Sequence, residues 1–179
     1  GEAERRALAQ RGAEHVTVRD CVIHHCANGI ETNQGGTEER NLVRDLLITH
    51  CHFHSNGKSG LYFGRNIETQ TVGLTLEFCR LDEPLSGANV DNVRDLSAGF
   101  VARCNYITGG GSQFTFDEPY GAVPLITGDS SYGITHVWGN VLRNFGNGSG
   151  NVVHFGSTNL PGDRVLHFHH NTVQCETSY

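Results

Sequence analysis

One phrase recurs along the chain and sets the strongest constraint on its fold. Each copy alternates apolar and polar residues, passes through a Cys or Asn, and reaches another apolar residue two positions later. Successive markers lie 30, 28, 25, 36 and 31 residues apart, by subtraction of their numbers, and they are Cys21, Cys51, Cys79, Cys104, Asn140 and Asn171. A period of this size, with two-residue alternation and no helical periodicity, indicates a β-solenoid.

The marker residues have a physical role in such a stack. Adjacent turns of a parallel β-helix, called rungs here, lie about 4.8 Å apart, so a residue at a fixed position meets its own kind above and below. An Asn side chain can satisfy turn backbone groups at this position, and a Cys packs there as a small apolar residue. We therefore predict a column of stacked markers with packed, free thiols. A disulfide between neighbouring rungs is the less favoured alternative.

A second strand is predicted after each marker, usually following Gly or Asn, and the segments concerned are 29–33, 60–64, 92–95, 113–118 and 152–156. Because alternate residues of a strand face opposite sides, one set points into the coil: Ile30, Leu61, Val93, Phe114 and Val153. The other set forms an outward row: Glu31, Tyr62, Arg94, Thr115 and His154. Longer loops that leave the stack are predicted at residues 33–45 and 117–133, and such loops often carry binding residues.

Composition agrees with an all-β chain and narrows the classes of partner. The 179 residues include 23 Gly but only 4 Pro, which suits many short strands joined by tight turns. The net charge is −6 with no basic run, so nucleic acid is not an expected partner. No apolar run reaches the roughly 18 residues that a membrane span needs.

The domain organisation follows from the same pattern. Residues 1–14 are predicted to be an N-terminal cap or the remnant of a preceding rung, and residues 15–179 to form one parallel β-helix. Since the chain contains no Met, we expect it to begin inside a longer precursor, and the β-helix to be a fragment of a longer one or a short example. The oligomeric state is left open.

The pattern resembles the right-handed parallel β-helix proteins of the pectate-lyase-like fold, and within them a largely uncharacterised branch of secreted bacterial proteins. The segments that carry the resemblance are 92–99, 103–110, 138–142, 154–156 and 166–173. The resemblance implies a right-handed parallel β-helix of about six rungs, a secreted, periplasmic or cell-surface location, and a polysaccharide partner. That branch usually has Lys-Asp-Arg at Arg94-Asp95-Leu96 and His-Asn at Ser59-Gly60, so this chain departs from it at both positions.

A lyase acting on acidic polysaccharide is the first function to consider. Such an enzyme abstracts a proton beside a uronate carboxylate, and a cation neutralises that carboxylate. Calcium bound by oxygen ligands is the cofactor expected for this role. The candidate catalytic residues are Arg94, Lys58 and His154; the candidate substrate-binding residues are Tyr62, Arg65 and Glu31; and the candidate metal ligands are Asp95, Asp117 and Glu118.

Other functions stay open beside the lyase. A non-catalytic carbohydrate-binding or cell-surface module could use sugar-stacking rings at Tyr62, Tyr120, Tyr132 and Trp138. A hydrolase would need two carboxylates, such as Glu31 with Asp117, in a favourable register. An inactive fragment of a larger protein is the third alternative. The histidines at 24–25, 50–54 and 167–170 also resemble ligand sets for zinc or copper.

Overall fold

Short strands joined by turns make up most of the protein. The computed structural model describes residues 6–10, 12–32, 38–57, 64–85, 90–120, 123–144, 151–156 and 164–175, with residues 6–10 described by their backbone alone. The strands are β1 (Arg6–Gln10), β2 (Glu14–Arg19), β3 (Val22–His24), β4 (Asn28–Thr32), β5 (Val43–Thr49), β6 (His52–His54), β7 (Ile67–Thr69), β8 (Thr71–Glu77), β9 (Arg80–Leu81), β10 (Val93–Asp95), β11 (Ala98–Arg103), β12 (Tyr106–Thr108), β13 (Phe114–Phe116), β14 (Ile134–Trp138), β15 (Val141–Asn144), β16 (Val153–Phe155), β17 (Val165–His169) and β18 (Thr172–Cys175). Helical structure in these residues is limited to α1 (Val123–Thr127) and a 3-10 turn (Glu39–Asn41), and neither could cross a bilayer.

The strands associate into three parallel sheets because every third strand along the chain pairs. Sheet A contains β1, β4, β7, β10, β13 and β16; sheet B contains β2, β5, β8, β11, β14 and β17; and sheet C contains β3, β6, β9, β12, β15 and β18. Each sheet is 6-stranded, so the chain coils through six rungs. The all-β, parallel β-helix architecture predicted from the repeat is confirmed.

Apolar side chains from the three sheets point into the coil and stack from rung to rung. In sheet B, Leu46, Leu74 and Phe100 are register neighbours and are almost completely buried. Burying a side chain of this size contributes about 1.5–3 kcal/mol, so the repeated column stabilises every rung. The inward orientation predicted in sheet A is confirmed for the described residues, of which three are fully buried and the last is partly buried: Ile30, Val93, Phe114 and Val153.

A column of marker side chains, the B–C ladder, stands where the chain passes from sheet B to sheet C. Its members are Cys21, Cys51, Cys79, Asn105, Asn140 and Asn171. Each described link is a backbone N–H donating to the side chain of the next rung: Cys51 to Cys79 Sγ at 3.4 Å, and Asn105 to Asn140 Oδ1 at 2.9 Å. The predicted column is therefore confirmed, with one error. The fourth member is Asn105, not Cys104.

Cys104 lies one residue earlier, at a left-handed corner of the backbone. Its φ is 56°, and the equivalent corners at Asp20, His50, Phe78 and His170 have φ between 51° and 55°. A left-handed non-glycine residue is strained, and each such position costs on the order of 1–3 kcal/mol unless its surroundings hold it. The ladder residue that follows each corner holds the backbone there, because its N–H donates to the ladder side chain of the next rung. Because the corner side chain points outward, Cys104 is exposed.

A second column, the C–A ladder, fixes the entry of the chain into sheet A. Asn66 Nδ2 donates to Asn92 Oδ1 at 2.7 Å, and Asn92 Nδ2 donates to Gln113 Oε1 at 2.9 Å. All three amides are fully buried, and each directly precedes a sheet A strand. In the rung before them the Nδ2 of Asn56 donates to Asn66 Oδ1 instead, and Gly29, within β4, takes the register position of Asn66. A Cβ at Gly29 would lie 2.5 Å from Asn66 O, so only glycine fits there.

Three predicted segments differ from the structure. The strand predicted at residues 60–64, with Leu61 facing inward, lies almost wholly outside the described residues, and the sheet position between β4 and β10 belongs to β7. The loop predicted at 33–45 ends earlier, because the buried Val43 already begins β5. The loop predicted at 117–133 contains α1, whose Ile126 packs in a small apolar cluster with Ala98 outside the coil.

Replacing Asn140 tests the B–C ladder. Asn140→Leu should lower the free energy of unfolding by about 1–3 kcal/mol, because Asn105 N–H and the carbonyl of Ala102 lose their partner in a fully buried place. Asn140→Cys is the matched control, since a sulfur already accepts the same backbone bond at Cys79. In chemical denaturation the parent should be the most stable, Asn140→Cys intermediate and Asn140→Leu the least stable. Equal stability of all three proteins would contradict the ladder.

Thiol reactivity tests the corrected register. Burial raises the pKa of the Cys79 thiol to about 12, so this residue should react very slowly in the folded protein. Cys104 is exposed and should react quickly with Ellman's reagent. Cys104→Ser should therefore remove one fast thiol from the native count, whereas Cys79→Ser should leave that count unchanged. The opposite result would place Cys104 in the buried column.

Candidate functional site

A row of polar side chains runs across the outer face of sheet A. Register places Glu31 beside Glu68, Glu68 beside Arg94, and Arg94 beside Thr115, with His154 next in the last described rung. The predicted alignment of the row is confirmed for its described members, of which His154 is exposed, Arg94 and Thr115 are half-buried and Glu31 is buried. Glu68 occupies the rung where Tyr62 was expected, and Tyr62 itself lies outside the described residues. We call this set the sheet A row.

Glu68 is the centre of the hydrogen-bonding network on this face. Its Oε2 accepts a bond of 2.9 Å from Arg65 Nη1, and its Oε1 accepts a bond of 3.1 Å from the hydroxyl of Tyr120. Arg94 Nη1 lies 3.5 Å from the same Oε1. Glu68 is 8% exposed, so these partners compensate the cost of removing its charge from water. Beside this carboxylate, burial and the negative charge raise the pKa of Tyr120 to about 12.

Arg94 connects this network to the loop after β13. Its Nε donates to Asp117 Oδ2 at 2.8 Å, so one guanidinium bridges two carboxylates. The two carboxylates fix the orientation of the guanidinium. Arg94 therefore presents a positioned set of donors rather than a free base, and its side chain keeps 24% of its surface exposed.

Carboxylates outnumber guanidiniums around the row. Arg65 also approaches Asp91, with Nε 3.8 Å from Oδ2, and Glu31 Oε2 accepts a bond of 2.8 Å from Asn28 Nδ2. The charged members are thus two arginines and four acids, namely Arg65, Arg94, Glu31, Glu68, Asp91 and Asp117. A face with this balance suits hydroxyl-rich ligands, and an acidic ligand would need an accompanying cation such as Ca²⁺.

The candidate metal ligands do not share one environment. Asp95 faces the interior, where it accepts bonds from Thr69 Oγ1 at 2.9 Å and Ser97 N at 3.3 Å. Asp117 is paired with Arg94 on the outer face, and Glu118 follows it, half-buried, beyond the end of β13. Among the described residues, no three His, Cys, Asp or Glu side chains are arranged to hold a metal ion.

The remaining candidates are distributed differently. Arg65 joins the network through Glu68 and is itself buried. His154 is exposed at the far end of the row, with Nε2 3.1 Å from Gly156 O. Lys58, the second catalytic candidate, lies outside the described residues, as does Tyr62.

Trp138, considered as a sugar-stacking ring, has a side chain beside its ring on each of the two neighbouring strands. Arg103, on one strand, has its guanidinium 5.7 Å from the centre of the indole ring, and His169, on the other, stacks its ring at 6.2 Å. Tyr132 packs beside the cluster around α1. Among the described tyrosines, Tyr120 contacts the sheet A row, through the bond from its hydroxyl to Glu68.

Sequence reasoning missed Glu68, although the sequence carries a signal for it. The tripeptide Ile-Glu-Thr occurs twice, at residues 30–32 and 67–69, and the two copies are neighbouring strands in register. Aligning these copies would have placed β7 correctly. Tyr120 could not be placed in this way, because a loop outside the repeat brings it to the row.

Comparisons with known proteins add no relative. No protein-family model, curated protein or solved structure matches the chain. The functional argument therefore rests on the fold and on the side-chain geometry.

Asp95 should make stability depend on pH. Burial raises its pKa to about 6, well above the ordinary value near 3.8. Its protonated form is thus favoured in the folded state, so its contribution is fully present below about pH 4 and is lost as pH rises through about 6. The shift corresponds to about 3 kcal/mol.

The measurement is chemical denaturation of the parent and of Asp95→Asn at pH 4 and pH 7.5. An amide keeps the bond from Thr69 and cannot ionise. The stability of the parent relative to the variant should fall by about 2–3 kcal/mol between the two pH values. A constant difference would show that Asp95 does not titrate in this range.

Proposed function

We propose that this protein binds polysaccharide along the outer face of sheet A. The observation that carries the proposal is the hydrogen-bonded network at the centre of the sheet A row, in which Glu68 and Arg94 are held by fixed partners across neighbouring rungs. Side chains that are already ordered lose little conformational entropy when a ligand binds. The accessible parts of Arg94 and Asp117 provide donors and acceptors for sugar hydroxyls, and the exposed ring of Tyr120 provides an apolar face beside them.

Binding is better supported than proton abstraction. A lyase of the kind considered above needs an unprotonated base that accepts the substrate proton, together with a cation whose charge is available to the substrate carboxylate. Arg94 is already paired with Glu68 and Asp117, so its charge is compensated before any substrate arrives. Lyase activity on acidic polysaccharide, with Ca²⁺ supplying the missing positive charge, is the alternative.

The resemblance of the repeat to secreted β-helix proteins supports the same substrate class, although similar folds carry unrelated functions. A secreted or cell-surface location, where polysaccharides are found, forms part of the proposal. The row also extends over several rungs, and a polymer would use that length better than a single sugar would.

The decisive test compares two arginines of the same rung. Arg94→Ala should weaken binding to a polysaccharide by about tenfold or more, because it removes a charged donor and frees its carboxylate partners. Arg103→Ala is the matched control: Arg103 pairs with Glu77 at 2.7 Å in the adjacent sheet B, away from the row. Calorimetry against polyuronates and neutral glucans, with and without Ca²⁺, provides the measurement.

Three outcomes are informative. Loss of binding in the Arg94 variant alone, with unchanged melting curves, supports the sheet A row as the site. Equal affinities of both variants and the parent would move the site elsewhere. Release of unsaturated uronates by the parent, seen as ultraviolet absorbance, would favour the lyase over the binding module.

A further inference from the structure

Two pairs of consecutive histidines have the same geometry at opposite ends of the coil. The Nδ1 atoms of His24 and His25 lie 2.7 Å apart, and those of His169 and His170 also lie 2.7 Å apart. In each pair the rings are nearly perpendicular, at 87° and 88°. All four side chains are exposed. We call them the N-terminal and C-terminal histidine pairs.

The backbone corner produces this geometry. His24 and His169 end their strands, while His25 and His170 adopt left-handed φ angles of 54° and 55°. A left-handed residue after a strand interrupts the usual alternation, so two consecutive side chains project to the same side. The corner at His50 shows the same effect, where Thr49 Oγ1 lies 2.8 Å from His50 Nδ1. The pairs therefore follow from the fold and do not depend on contact with a distant loop.

The surroundings keep the N-terminal pair suited to ligation. The ring of His54 stacks on His24 at 4.9 Å, and His52 lies next to His54 at 4.8 Å. The acid in the cluster, Asp82, is occupied by His52 and Arg80, and the Nδ1 atoms of the N-terminal pair face each other rather than this carboxylate.

We propose that each histidine pair is a two-nitrogen site for a square-planar divalent ion, with copper(II) preferred. A metal–nitrogen bond of about 2.0 Å places two ligands about 2.8 Å apart at a right angle, but about 3.3 Å apart at the tetrahedral angle. The observed separation of 2.7 Å, held by a hydrogen bond between the two rings, is close to the first value, so little movement would bring both nitrogens to one ion. Copper(II) also binds nitrogen ligands more tightly than the other divalent ions of its row.

Water completes the coordination in this proposal. The described residues contain no group of three His, Cys, Asp or Glu side chains that could hold a metal, so each site has two protein ligands. Such a site binds more weakly than a closed three- or four-ligand site, and its expected stoichiometry is two copper ions per chain.

The single tryptophan distinguishes the two sites. Trp138 is the one Trp of the chain, and its ring stacks on His169 at 6.2 Å. Bound copper(II) quenches nearby indole fluorescence, so occupation of the C-terminal pair should quench Trp138. The N-terminal pair belongs to sheet C in the first rung, five rungs away, and should be silent in this measurement.

The experiment titrates Cu²⁺, and in parallel Ni²⁺ and Zn²⁺, into protein whose exposed thiols have been alkylated. His25→Asn should lower the copper stoichiometry from two to one and leave the quenching unchanged. His170→Asn should also lower the copper stoichiometry to one, and should raise the copper concentration at the quenching midpoint by about tenfold or more. Asn tolerates the left-handed corner, so these variants should fold.

The control is His50→Asn, which alters a lone histidine at an equivalent corner and should change neither quantity. Zinc should bind more weakly than copper at both pairs. The proposal is overturned if the double variant His25→Asn/His170→Asn still binds two copper ions, or if His50→Asn lowers binding as much as either pair variant. Circular dichroism of each variant verifies that the fold is retained.

Discussion

The hydrogen bonds that pass from rung to rung at the corners hold this structure together. Strand pairing links the straight segments, but a corner leaves backbone groups without partners. In the B–C ladder, Asn140 accepts from the rung before it and donates to Ala102 O and Asn171 Oδ1. Cysteines serve at the earlier rungs by accepting through sulfur and packing as apolar groups. Each corner can therefore adopt a strained left-handed conformation, and the strands keep their register.

The same constraint positions the candidate site. The C–A ladder fixes the first residue of three consecutive sheet A strands, and the residues that follow at Glu68, Arg94 and Thr115 are consequently aligned. An ion-pair network across neighbouring rungs needs this alignment, because a one-residue slip would turn its side chains into the core. A rigid scaffold thus supports a polar face whose own contacts would be too weak to order it.

The corners also produce surface features that the two-residue alternation of a strand would not produce by itself. At a left-handed corner two consecutive side chains face solvent together, which brings His24 to His25 and His169 to His170. The sheet A row and the histidine pairs are therefore independent consequences of one backbone plan. They lie on different sheets, and they offer different chemistry: charged hydrogen-bonding groups in one case and paired imidazole nitrogens in the other.

The sequence by itself determined the coil, its number of rungs and most of its columns, because both the two-residue alternation and the recurring Cys or Asn are local patterns. It also placed Glu31, Arg94 and His154 on one outward row. Only the tertiary structure decided that Asn105 stands in the ladder and that Cys104 is the exposed corner, since a left-handed φ is not visible in the alternation. The pairing of Arg94 with Asp117, and the approach of Tyr120 to Glu68, depend on a loop outside the repeat. The alternation that turns Arg94 outward also turns Asp95 inward, but only the tertiary structure brought the bonds from Thr69 and Ser97 that hold a buried carboxylate there.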